Sequence, residues 1–111
     1  MLHTMSSENL QAPITHLTSR IVEAVNPEGI VLFGSQARGD ATAESDYDIA
    51  LIFSDRDQIQ PGLMQAHRAL WPREVPVDLV GFTKDTFQTG RTAFAREVRR
   101  EGKSLYQKHE H

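Results

Sequence analysis

The chain of 111 residues contains no cysteine. That excludes disulfide scaffolds, thiolate metal sites and cysteine nucleophiles. Long hydrophobic runs are also missing. The longest, Ile49 to Phe53, falls far short of the roughly 18 residues a membrane-crossing helix needs. The segment Met1 to Asn9 lacks the apolar stretch of a secretory signal, so a cytoplasmic protein is expected. An excess of positive charge is absent too: the net charge is −3, which argues against strong direct nucleic-acid binding. What remains is a globular composition, 39% apolar and 24% charged. A chain this long buries about two-thirds of its unfolded surface, enough for one core. One domain over 1–111 is expected, with its core at about 14–106 and polar termini.

The charge is unevenly spread. Residues 1–90 hold six basic and twelve acidic side chains; residues 91–111 hold six basic and three acidic. The basic segment reads first as a solvated helix face of mixed charge, and second as a docking surface for an acidic partner.

Hydrophobic spacing predicts a helix over Gln11–Asn26, with Pro13 in its first turn and Pro27 ending it. Ile30-Val31-Leu32-Phe33, bounded by Gly29 and Gly34, reads as a buried strand. Gly34–Ser45 reads as a turn, one short helix near Gln36–Arg38, and a loop. Tyr47–Phe53 is a second strand. Pro61 starts a helix with Leu63, Met64, His67, Leu70 and Trp71 on one face. Val75–Phe82 is a third strand, Thr83 caps a short helix, and Thr92–Glu101 is another with Phe94 and Val98 four apart. Gly102 is expected in the left-handed conformation that ends many helices. Ser104-Leu105-Tyr106 forms a last short strand. The order implies an α/β (α+β) fold, a small mixed sheet covered by helices.

Three aspartates carry the chemistry. Asp46 and Asp48 are two apart at the start of an apolar strand, so both carboxylates face one side. Two like charges held together call for a cation between them. Magnesium suits them, because it takes carboxylate oxygens and keeps positions for water and phosphate. Asp78 stands in the apolar run Val75–Phe82. Placing that strand beside Tyr47–Phe53 would bring three carboxylates to one end of the sheet, as in two-metal phosphoryl-transfer sites. Taken alone, Asp-x-Asp is equally the end of a solvated loop, and Asp78 equally a salt-bridge partner of Arg20 or Arg73.

Gly34-Ser35-Gln36-Ala37-Arg38-Gly39 follows the first strand directly. Gly34 lets the backbone approach a ligand closely. Ser35 offers a hydroxyl, and a turn entering a helix offers N–H groups to an anion. Arg38 can neutralise phosphate or pin the loop. The spacing is not that of a P-loop.

The full run, Gly34 to Gly39, five residues, then Ser45-Asp46-Tyr47-Asp48, resembles the signature of the polymerase β-like nucleotidyltransferase superfamily, nearest its minimal nucleotidyltransferases. Asp78 fits the family's third carboxylate, and Arg100-Glu101-Gly102 with Leu105-Tyr106 resembles its C-terminal end. Ile49 stands where leucine is commoner in the family. The resemblance implies that Gly34, Ser35 and Arg38 bind a nucleoside triphosphate such as ATP. It implies that Asp46, Asp48 and Asp78 are the catalytic and metal residues, holding two Mg²⁺ ions. It further implies transfer of a nucleoside monophosphate, most simply AMP, to a hydroxyl. The small family members are often paired with a HEPN-type toxin as its antitoxin, which makes a protein partner the expected acceptor. The alternatives are a module that neutralises its partner by occlusion, or a subunit acting on a small molecule.

Other signals are weak. His3, His16, His67, His109 and His111 lack ligand spacing. Trp71 and Met64 read as core residues, and Tyr47 points away from the two aspartates.

Overall fold

The computed structural model describes residues 5–42, 45–72 and 75–108, with side chains from residue 14 onward. Among the described residues ten elements follow one another: α1 (Met5–Val25), β1 (Gly29–Phe33), α2 (Ser35–Arg38), β2 (Tyr47–Phe53), a 3-10 turn (Arg56–Gln58), α3 (Ile59–Ala69), β3 (Val77–Thr83), α4 (Lys84–Thr89), α5 (Ala93–Glu101) and β4 (Lys103–Gln107). The strands form one mixed sheet in the order β3-β2-β1-β4. β1 is antiparallel to both β2 and β4, and β2 is parallel to β3. The parallel pair is joined through α3, the crossover that two parallel neighbours require.

Alternation along the strands sorts the core into two layers. Ile30, Leu32, Ile49, Leu51, Phe53, Val77 and Leu79 face Leu17 and Ile21 of α1 and Ala66 of α3. Val31, Ala50, Ile52 and Phe82 face Ala95 and Val98 of α5. Both faces are covered, so the central strands are apolar throughout, which is why β1 and β2 read as continuous hydrophobic runs.

Helix boundaries follow local chemistry. Thr83 and Thr92 cap α4 and α5, their hydroxyls accepting from the N–H groups of Thr86 and Ala95. α3 begins at Ile59, two residues before Pro61, because a first-turn proline gives up no helical hydrogen bond. α1 begins at Met5 rather than Gln11, so Pro13 lies inside it. Its missing N–H removes one backbone bond without stopping the helix upstream.

The buried side of α3 differs from the expected one. Gly62, Ala66 and Leu70 face the core, while Met64 is 52% and Trp71 72% exposed, and His67 is exposed. The reason is close approach. A Cβ on Gly62 would run into the Phe53 ring, so the helix seats its smallest residues on the sheet. Gly62→Ala is therefore expected to cost about 1–3 kcal/mol from overpacking, outweighing the roughly 1 kcal/mol that alanine gains in helix propensity. A urea melt checks this, and a stabilised variant would contradict it.

Two smaller expectations also give way. β3 starts at Val77 rather than Val75. Gly102 is extended, with φ −75 and ψ 155, rather than left-handed. Its requirement is space: a Cβ there would meet the Val31 side chain and the Val98 carbonyl. Phe94 is 45% exposed although Val98, one turn on, is buried.

Candidate active site

The site grows from one end of the sheet. β1 finishes at Phe33, which pairs with Asp48 of β2. Asp48 in turn pairs with Asp78 of β3. Adjacent strands run about 4.8 Å apart, so the two aspartates stand abreast. Both project to the α4/α5 face, in phase with Ala50 and Phe82. Tyr47 packs on the opposite layer, as its position between the two aspartates requires. Asp46 lies one residue ahead of β2 rather than within it. It is placed by the Tyr47 N–H, which donates to the Pro76 carbonyl at 2.9 Å.

The Asp48 carboxyl is pushed above its ordinary value by burial first, then by Asp78 and by Asp46. Arg38 acts on it in the opposite sense. Asp78 is exposed, so it carries no cost of a buried lone charge. No ion pair joins Asp78 to Arg20 among the described residues. Arg73 lies outside them.

The turn after β1 closes over Asp48. Gly34 has φ 76 and ψ −157, a region open essentially to glycine. A Cβ at this position would collide with the Asp48 carboxylate. Glycine is thus required twice, by backbone conformation and by contact. Ser35 then opens α2, the short helix that buries Ala37 and ends at Arg38.

Two residues of the quoted run to which the sequence assigned no role of their own hold its two halves together. The Gln36 Nε2 donates to the Ser45 carbonyl at 3.4 Å, and the Ser45 Oγ accepts from the Thr42 N–H at 2.9 Å. Together they tie α2 to the loop that delivers Asp46. A polar residue reaching nine positions along a loop leaves no periodic trace, so spacing alone could not find Gln36.

Oxygen donors that repel one another are the chemistry a hard divalent cation takes. The residues present fit such an ion at Asp48 and Asp78, with Asp46 adjacent. Among the described residues, no three acidic or histidine side chains are grouped so that they could hold a metal ion as they stand. His16 and His67 are exposed on α1 and α3; His3, His109 and His111 lie outside the described residues. A recess of about 220 Å³ lined by Glu28, Val31, Lys84, Phe87 and Tyr106 lies toward the Gly29–Ile52 end of the sheet, away from the aspartates. No helix among the described residues is long and apolar enough to cross a membrane.

Residues 16–111 match the family described as Polymerase beta, Nucleotidyltransferase. The chain belongs to that family. No curated protein matches this nucleotidyltransferase-family chain in sequence. Solved structures share its fold. A protein of Sulfolobus solfataricus described as a nucleotidyltransferase superposes with a TM-score of 0.61 at 21% identity, over 97% of this chain and 93% of that one. A toxin–antitoxin structure with AMP-PNP gives 0.56 at 24% identity, over 85% and 73%. A variant of the MntA–HpeT toxin–antitoxin, with two aspartates two residues apart replaced by glutamate, gives 0.55 at 22% identity over the same shares. The mixed sheet covered by helices is the fold of this family.

Proposed function

We propose that the chain is a magnesium-dependent nucleotidyltransferase. It takes a nucleoside triphosphate, in this reading ATP, and moves the nucleoside monophosphate to a hydroxyl of a protein partner. The partner is a HEPN-type toxin, the acceptor one of its tyrosines, and the chain its antitoxin. The observation that carries the reading is Asp48 abreast of Asp78, with Asp46 just upstream and the Gly34 turn closed over Asp48. The two toxin–antitoxin structures of the same fold, one of them with AMP-PNP, support the choice of partner and nucleotide.

Asp46, Asp48 and Asp78 would hold the metal ions, which supply charge neutralisation for the phosphates when bound. Gly34 and Ser35 would seat the triphosphate, and Arg38 would meet its phosphate oxygens. The acceptor oxygen forms a bond to the α-phosphorus, the bond to the bridging oxygen of the β-phosphate breaks, and pyrophosphate leaves. Asp78, exposed on the edge strand, would take the proton of the incoming hydroxyl. Most of the acceleration comes from positioning and electrostatics.

Intact mass spectrometry of the adjacent gene product as candidate toxin, incubated with the chain, Mg²⁺ and each nucleoside triphosphate in turn, tests the reading. A gain of one nucleoside monophosphate or a small multiple on the toxin alone is expected, lost in Asp46→Asn. No gain in a stable complex would assign neutralisation by occlusion instead. Activity on a small molecule without any protein partner would also overturn the acceptor assignment.

A further inference from the structure

Arg38 is anchored from a distant part of the chain. Its Nη1 donates to Glu101 Oε1 at 3.2 Å across 63 positions of sequence, and its Nε donates to Asp40 Oδ2 at 3.4 Å. A guanidinium has five N–H donors in a fixed fork. Among the described residues, its second Nη1 hydrogen and both on Nη2 have no acceptor. Asp40, then Glu101, keep the group firmly protonated.

Glu101 is an unexpected residue for its place. It ends α5, where the helix dipole favours cations, and Arg99 and Arg100 just before it conform to that rule. Its carboxylate is only 18% exposed, against 46% for the Arg38 side chain. The backbone directly after it is pressed on the core, since Gly102 has no room for a Cβ beside Val31 and Val98. The chain then enters β4, where Lys103 pairs with Leu32, two residues before Gly34. Glu101 is thus fixed to the same strand that delivers the Gly34 turn. Its partner is the side chain that closes α2. An ion pair this open contributes little to stability. The fold alone gives no reason for a carboxylate there.

We infer that Glu101 is a positioning residue for the nucleotide, acting through Arg38. It holds the guanidinium at the mouth of the Gly34–Ser35 turn with its unused N–H edge free for phosphate oxyanions. The inference rests on the nucleotidyltransferase reading above and adds a residue to it. Glu101 itself touches no substrate.

The test is calorimetric titration of the full chain with Mg²⁺ and AMP-PNP, and separately with Mg²⁺ and tripolyphosphate. Glu101→Gln is expected to weaken both by about tenfold, the equivalent of roughly 1.4 kcal/mol, with the melting temperature nearly unchanged. Glu101→Asp should fall between Glu101→Gln and wild type. In the Arg38→Gln background the Glu101→Gln change should add nothing, the signature of two residues acting as one. Wild-type affinity in Glu101→Gln would overturn the inference, as would an equal loss with or without Arg38. A large fall in melting temperature in both Glu101 variants would assign the residue to the fold and overturn it too. A wild-type chain that binds neither probe would instead overturn the nucleotide reading, and the inference with it.

Discussion

Asp48→Asn is expected to make the metal-free protein more stable while abolishing transfer. Burial and the neighbouring Asp78 and Asp46 raise the Asp48 pKa above its ordinary value. The folded state therefore binds the Asp48 proton more tightly than the unfolded state does. Stability consequently falls as pH rises from the ordinary aspartate range through the raised value, and stays reduced above it. Asparagine carries no charge and escapes that penalty. Because Asp48 keeps some contact with water, the gain is less than about 1 kcal/mol, or up to about 4 °C in melting temperature. Activity should drop by roughly 10³-fold or more, the scale of several kcal/mol of lost charge stabilisation. Thermal melts between acid and neutral pH, with and without Mg²⁺, check this. Mg²⁺ should raise the wild-type midpoint and leave the variant nearly unmoved. A variant that melts lower than wild type in the absence of metal would show that the carboxylates do not strain the fold.

Gly34→Ala is expected to damage both fold and function. The backbone there has φ 76 and ψ −157. That conformation costs a side-chain-bearing residue about 1–3 kcal/mol, and the added methyl meets the Asp48 carboxylate. Together these should remove about 2–4 kcal/mol, a fall of roughly 10–20 °C in melting temperature. Nucleotide binding should be lost as well, since the turn and Asp48 must move apart. Gly39→Ala is the comparison. Its φ is 87, yet among the described residues no atom beyond its chain neighbours lies within 4 Å of the added Cβ. It should cost only about 1–2 kcal/mol of backbone strain and leave nucleotide affinity intact. Equal losses in the two variants would mean that contact with Asp48 is irrelevant.

The Gly34 contact also shows where reading along the chain stops. A glycine after a buried strand is legible as a turn with close approach, but the approach is to Asp48, a partner 14 positions away. The strand limits of β2 and the cap Thr83 were legible, because burial on both faces and side-chain capping leave local marks. The exposed faces of Met64 and Trp71 were not. Apolar residues at helical spacing resemble a core stripe until the small residues Gly62 and Ala66 bring the helix down on Phe53.

The sequence by itself determined the elements, the mixed α/β class and the residues of the acidic motif, because periodicity, turn chemistry and side-chain type are local properties. Only the tertiary structure decided that Asp48 stands beside Asp78 in a parallel register, and that Arg38 is held by Glu101. Both depend on strand order and on where α5 lands. Those are set by how two hydrophobic layers share one sheet, a condition on the whole chain that no single segment carries.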